Sequence, residues 1–261
     1  MSLDQPNKFV KHQTVTRDAF LGGRITLSQP DKGFRAGLDS VLLGASVRKG
    51  TKNLLDLGAG VGAAALIALA LGRADRASLA EQDEATLDLA AENITGNGFS
   101  DRAAIVRVDV TASATERRTS GLLDNAHDAV IANPPFFIAG QGTLATGDYR
   151  AGARHMSADA LDQWVRCAAA SASAAGEAIF IYPAEGLATL LGAFEKRFGG
   201  VTILPLLPRP NSPASRVLVR GIKGSRAPLT LLASRPLHGA EGNGFSDEFD
   251  AIFRGNNALD W

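Results

Sequence analysis

Short apolar runs recur along this chain between longer stretches of helical periodicity, from residue 53 almost to the end. Asn53 to Leu57, Ala77 to Ala80, Ala103 to Val108, His127 to Ala132 and Ala178 to Tyr182 have the length and apolarity of buried strands. Between them lie helical patterns: Ala63 to Leu71, Glu84 to Ile94, a short one over Ala114 to Ser120, and one from Ser157 and Asp159 to Ala175. A further helix is expected over Glu185 to Phe198, closed by Gly199-Gly200. Two last strands follow, Val201 to Leu207 and Arg216 to Ile222. Their linker, Pro208 to Pro213, is too short for a parallel crossover, so they should pair antiparallel. The pattern predicts an α/β fold: a doubly wound, mostly parallel seven-stranded sheet with a late antiparallel pair.

The flanks read differently. Residues 1 to about 16 look loosely attached, and Gly22-Gly23 sits between short apolar pieces, as in a hairpin or small cap. Ser28 to Gly33 reads as a polar turn around Pro30. Asp39 is placed to N-cap an apolar helix over Ser40 to Val47, which Arg48-Lys49-Gly50 ends. Leu229 to Ala233 suggests an extra strand, and Asp247 to Phe253 a short final helix. The expected organisation is an N-terminal extension and cap (1–48), a core (49–224) and a C-terminal extension (225–261).

Composition narrows the function classes. The single cysteine, Cys167, excludes an internal disulfide and any cysteine zinc cluster, and the four histidines lack metal-ligand spacing, so no metal is expected. No charge-free stretch reaches the roughly 20 residues needed to span a membrane. Met1 to Phe9 is polar, without an apolar signal core, and a cytoplasmic location is the expectation. Net charge is zero, yet Lys196 to Ala240 contains no acid and carries Lys196, Arg197, Arg209, Arg216, Arg220, Lys223, Arg226 and Arg235. Such a span suits either a phosphate-bearing partner or a solvated face.

Candidate chemistry gathers at strand ends, where open α/β sheets bind ligands. Gly58, Gly60 and Gly62 link the first strand to its helix, allowing a sharp turn, close backbone approach and an anion at the helix N-terminus. The same spacing fits a nicotinamide dinucleotide fingerprint. Glu81, about 20 residues on, ends the second strand where an acid grips ribose hydroxyls. Asp109 ends the third, where it could accept from an adenine amino group. Asp56, an acid inside an apolar strand, needs a partner. It could hold loop amides, or the amino group of a cofactor such as S-adenosylmethionine (SAM), which NAD lacks. Asn133-Pro134-Pro135-Phe136 stops the fourth strand abruptly, because prolines cannot continue a ladder. That leaves an amide, a rigid carbonyl and an aromatic ring at the strand end.

Together these residues resemble the motifs of Rossmann-like class I SAM-dependent amino-methyltransferases. Gly33-Phe34-Arg35-Ala36-Gly37-Leu38-Asp39-Ser40-Val41-Leu42-Leu43 is similar to the N-terminal signature of bacterial tRNA (adenine-N6)-methyltransferases that act on valine tRNA. Ala153-Arg154-His155, Pro213 to Val219 and Gly221 to Gly224 also look like that family, and the likeness covers roughly residues 17 to 255. The resemblance implies SAM as cofactor, held by Asp39, Asp56, Gly58, Ala59, Gly60, Gly62, Glu81, Gln82, Asp109, Val110 and Asn133. It implies Asn133, Pro134, Pro135 and Phe136 as the catalytic set and RNA, most readily tRNA, as substrate. Phe136 stands where tyrosine is often found; a ring for stacking is kept and the hydroxyl is lost. In this reading the Asn133 and Pro134 carbonyls accept the two amine hydrogens of a flipped-out adenine. The loop from Ala139 to Met156, with Arg150, Arg154 and His155, is long enough to be either functional or a surface loop.

Other readings are glutamine N5-methylation of a protein, which the same motif serves, and a small-molecule methyltransferase, which would need a base or metal that this motif does not supply. A non-catalytic SAM- or RNA-binding module is the alternative of a different class. The sequence carries no signal for oligomeric state.

Overall fold

The computed structural model describes residues 14–33, 35–135 and 158–261. Phe34, Phe136 and the Ala139 to Met156 loop lie outside them. The chain opens with a hairpin, β1 (Val15–Phe20) and β2 (Ile25–Pro30), joined by a tight turn at Leu21–Gly23. Gly22 takes φ +64° there, a conformation that costs glycine little. Pro30 closes β2 rather than sitting in a loop, so the polar turn expected from Ser28 begins later.

The outer edge of β2 is covered by two side chains instead of a strand. Asn93 of α3 (Glu84–Gly96) and Asn97, the residue at its C-cap, each bond both the N–H and the carbonyl of a β2 residue. Asn97 pairs with Thr26 at 2.9 and 2.8 Å, and Asn93 with Ser28 at 2.7 and 3.0 Å. An amide carries both a donor and an acceptor, so it imitates a ladder and closes an edge that would otherwise be open.

The main sheet runs β5 (Ala103–Arg107), β4 (Ala74–Glu81), β3 (Thr51–Leu57), β6 (His127–Ala132), β7 (Ala172–Pro183), β9 (Arg216–Lys223), β8 (Phe198–Leu207). Two-residue strands β10 (Thr230–Leu231) and β11 (Arg235–Pro236) add to β8. Among the described strands of this sheet only β9 runs antiparallel to its neighbours. The doubly wound, mostly parallel sheet and its late antiparallel pair are as the apolar pattern predicts. Side chains alternate between two buried layers. Leu54, Ile131, Ile179 and Leu218 face α1 (Leu38–Ala45), α2 (Ala63–Ala70) and α7 (Asp247–Phe253). Leu55, Val130, Phe180 and Val219 face α5 (Ala158–Ser171) and α6 (Leu187–Phe194). The short α4 (Ala114–Thr119) begins with a capping box between Ser113 and Glu116.

Two helices end earlier than expected, each where a strand takes over. Helix α5 stops at Ser171, and Ala172 joins β7 by pairing with His127. Alanine favours helix, but the sheet partner overrides a propensity of tenths of a kcal/mol. Ala175, at φ +60°, carries the irregularity that restores register at Glu177. Helix α6 ends at Phe194 because Phe198 and Gly199 pair with Lys223 and Ile222.

Helices α1 and α2 cross closely at Gly44. A Cβ there would overlap the Ala64 carbonyl oxygen and lie 2.9 Å from Ile67 Cβ. Backbone cannot yield as a flexible side chain does, so Gly44→Ala should destabilise by about 1–3 kcal/mol, despite alanine's helix preference. Urea denaturation checks this; an unchanged or higher midpoint would show that the crossing tolerates a methyl group.

Candidate active site

The sheet register sets the site. Leu57 pairs with Ala80 on one side and Ala132 on the other. Gly58, Glu81 and Asn133 are therefore each the next residue beyond one row, at the carboxyl edge. This row spans the β3/β6 junction, where the strand order reverses and a crevice opens. Arg216 joins the same edge, because antiparallel β9 starts opposite Pro183, the last residue of β7.

The loop after β3 is built from left-handed glycines: φ is +64° at Gly58, +56° at Gly60 and +88° at Gly62. Ala59 donates to the Ala80 carbonyl at 3.0 Å and Gly62 to the Ala59 carbonyl at 2.9 Å. A Cβ at Gly62 would sit 2.5 Å from Leu79 Cδ2, whereas one at Gly60 would meet nothing within 4 Å. The loop thus packs closely at Gly62 and faces open space at Gly60. The residue before helix α2, Gly62, has no side chain to cap the first turn, so the first-turn amides other than Ala65, which Asp56 takes, can receive an anion.

The acids hold this loop. Glu81 Oε2 accepts from Gly60 N at 3.1 Å, while Oε1 accepts from Gln82 N at 2.8 Å and Asp83 N at 3.0 Å. Two amides already fill Oε1, but Oε2 can accept a second bond, so Glu81 can fix the loop and still receive a hydroxyl. Asp56 is buried and its Oδ2 accepts from Ala65 N at 3.1 Å, in the first turn of α2. Its partner is the helix rather than a loop amide. Burial, with the Glu81 carboxylate adding to it, pushes its carboxyl up to about 7 against the opposing pull of the Ala65 N–H. Asp109 Oδ1 accepts from Thr111 N at 2.8 Å and Thr111 Oγ1 at 2.6 Å, in an exposed turn. Val110 is buried beside it, Ala59 is half-buried and Gln82 is exposed.

Asp39 does not cap α1. The N-cap is Gly37, and Asp39 stands in the first turn, where its Oδ2 accepts from Arg216 Nε at 3.0 Å. The pair ties the start of α1 to the carboxyl edge of the sheet. Arg35, just before, is held by Asp18, the Thr16 hydroxyl and the Pro30 carbonyl. Past the end of β6, Asn133 is half-buried, Pro134 buried and Pro135 exposed. The structure thus brings Asp39, Asp56, Gly58, Ala59, Gly60, Gly62, Glu81, Gln82 and Asn133 to one edge, with Asp109 and Val110 two and three residues beyond Arg107, which pairs with Glu81. Phe136 lies outside the described residues.

Two residues escaped the sequence reading. Asn93 donates to the Val61 carbonyl at 3.0 Å, linking the hairpin to the glycine loop. A buried Asn on a helix face was the available signal. Trp164 of α5 lies against Gly58, and nothing in the sequence spacing points to it. The acid-free span Lys196 to Ala240 is also not a row of free cations. Lys196 and Arg197 bind Asp162, Arg209 bonds to the Gly242 carbonyl, Lys223 to Asn125, and Arg235 to Glu248. Arg220 stacks over Trp261 at 4.5 Å.

Known proteins share the family and the fold of this chain. Residues 34–155 match the model of the methyltransferase small domain. A Haemophilus influenzae tRNA1(Val) (adenine(37)-N6)-methyltransferase is 30% identical over 167 residues, 63% of this chain and 68% of that one. The chain belongs to this methyltransferase family. A solved structure from Agrobacterium tumefaciens, described as a predicted O-methyltransferase, superposes with a TM-score of 0.71 at 30% identity, covering 86% of this chain and 99% of that one. A Thermus thermophilus 16S rRNA N2 G1207 methyltransferase, solved with AdoMet and guanosine, shares the fold at a TM-score of 0.53 and 20% identity, over 80% of this chain and 50% of that one. The Rossmann-like methyltransferase fold expected from the motifs is therefore the fold of this family. Among the described residues, no helix is long and apolar enough to cross a membrane.

Proposed function

We propose that this methyltransferase transfers a methyl group from SAM to the exocyclic N6 amine of an adenine in tRNA. The observation that carries the proposal is the placement of Asn133 one residue past the row that Gly58 and Glu81 also follow, across the strand-order reversal. Donor-side and acceptor-side residues then face one crevice. The tRNA adenine-N6 activity named for the Haemophilus relative supplies the substrate class.

The residues present fit SAM. Gly60 offers a backbone without a side chain beside open space, and α2 offers to a carboxylate the first-turn N–H groups that Asp56 leaves. Glu81 would receive a ribose hydroxyl and Asp109 the adenine amino group, with Ala59, Gln82 and Val110 lining the adenosine and Asp39 and Asp56 ordering the amino-acid end. When bound, SAM supplies a methyl group on a sulfonium, a good leaving group.

The chain's own task is to aim the acceptor. An exocyclic adenine amine is a weak nucleophile because its lone pair is delocalised into the ring. Carbonyls of Asn133 and Pro134 that each accept one N–H draw that nitrogen towards tetrahedral geometry and point its lone pair along the line of transfer. Pro135 stiffens the pair, and Phe136 offers a face on which the unstacked base can lie. Acceleration comes from in-line positioning and from carbonyl dipoles fixed in advance.

The test is labelled-methyl transfer from SAM, run in parallel on total tRNA, total protein and a small-molecule pool. Label should enter tRNA. Label confined to protein would replace this reading with glutamine methylation, and binding of SAM without transfer to any pool would make the protein a binding module.

A further inference from the structure

We propose that Trp164 is a positioning residue for the cofactor loop: its indole fixes the backbone of Gly58 and thereby couples helix α5 to the methyl-donor side of the crevice. The inference rests on the SAM reading above and adds to it a residue that no motif supplies.

The contact is between a ring and backbone. A Cβ at Gly58 would overlap Trp164 Cη2 and lie 3.0 Å from Cζ3. Position 58 therefore needs glycine twice over, for its φ of +64° and for the space that the indole fills. Gly60, two residues on, has open space above it, so the loop is clamped at one glycine and accessible at the next. Trp164 is 7% exposed and belongs to the buried layer that contains Leu57, Ala80, Val108 and Val110. These residues adjoin Gly58, Glu81 and Asp109 in sequence, so the indole that touches Gly58 shares one buried layer with the residues next to all three strand ends.

The helix that carries the ring is itself anchored. Asp162, half a turn earlier, binds Arg197 Nη2 at 2.7 Å and Lys196 Nζ at 3.2 Å. Arg197 also donates to the Ala193 carbonyl of α6 at 2.9 Å. The Arg197 guanidinium holds the Asp162 carboxyl well below the usual carboxylate range. A shift of α5 would move the floor of the glycine loop, and with it the distance between donor and acceptor.

The experiment compares Trp164→Ala, Trp164→Phe, Gly58→Ala and the double variant Gly58→Ala/Trp164→Ala. SAM affinity is read by calorimetry, and KM for SAM, KM for tRNA and kcat by methyl transfer. Trp164→Ala should raise the SAM dissociation constant about tenfold and leave the tRNA KM within about twofold, and Trp164→Phe, which keeps a ring at the contact, should recover most of the loss. Gly58→Ala should cost markedly less SAM affinity in the Trp164→Ala background than alone, because the overlapping ring is gone while the backbone strain remains. Should Trp164→Ala not fold, Trp164→Leu against Trp164→Phe makes the same comparison. Wild-type SAM affinity in the aliphatic variants, or strict additivity of the two substitutions, would overturn the inference and leave the SAM reading intact. A wild-type protein that binds no SAM would overturn both.

Discussion

Asn133→Ala is expected to lower kcat for methyl transfer by about 10²–10³-fold while leaving SAM affinity within a few-fold of wild type, the scale seen when one fixed polar group facing the reacting centre is removed. The reason is positional. Strand β6 ends at Ala132, level with Leu57, and the following prolines prevent the backbone from pairing further. The amide is therefore held at the edge of the crevice by a stiff segment whose next residue, Pro134, is buried. Alanine keeps that segment and deletes only the side-chain acceptor. The Pro134 carbonyl remains, so some aim survives, but one amine hydrogen loses its partner. Single-turnover rates at saturating SAM and tRNA isolate this step from binding. A kcat within twofold of wild type would remove Asn133 from the mechanism.

The second large effect is on stability against pH. Asp56 has an ordinary value of 3.8 in the exposed chain, and burial raises it to about 7 in the folded protein. Between those values the folded state keeps a proton that the unfolded chain releases. Its contribution is therefore full below about pH 4 and fades as pH climbs through 7. Three units correspond to about 4 kcal/mol, an upper bound for a fully buried carboxyl. Asp56→Asn keeps an acceptor for Ala65 N–H and cannot ionise. The wild-type free energy of unfolding minus that of Asp56→Asn should thus fall between about pH 4 and pH 7 and level off above. Taking the difference removes the other groups that titrate there. Glu177 is raised by burial and contributes in the same direction, while His127, lowered by burial, contributes in the opposite one. Urea titrations of both proteins at several pH values measure it. A difference that is flat with pH would mean that Asp56 is ionised in the fold at neutral pH.

Much of the fold was legible because its strands are short apolar runs, ended at β3 by glycine and at β6 by a pair of prolines. Gly58, Glu81 and Asn133 each follow such a run, and their common level follows from the parallel register alone. The late antiparallel pair was readable from the length of the Pro208 to Pro213 linker. What escaped depends on partners distant in the chain. Ala172 leaves a helical pattern because His127 offers it a ladder. Asp39 looks like an N-cap by position, yet Arg216, 177 residues away, takes its carboxylate. The acid-free span reads as a charged ridge, but its cations find acids and carbonyls contributed by other parts of the chain. Trp164 was illegible for the same reason: its importance lies in what it touches, and only the absence of a side chain at Gly58 hints that something must lie there.

The most direct test of the central claim is nucleoside analysis of tRNA after transfer of labelled methyl from SAM by the purified protein. The account predicts labelled N6-methyladenosine, abolished or nearly so by Asn133→Ala. Label on a guanine, a ribose hydroxyl or a ring nitrogen, or unmodified tRNA beside labelled protein, would contradict it.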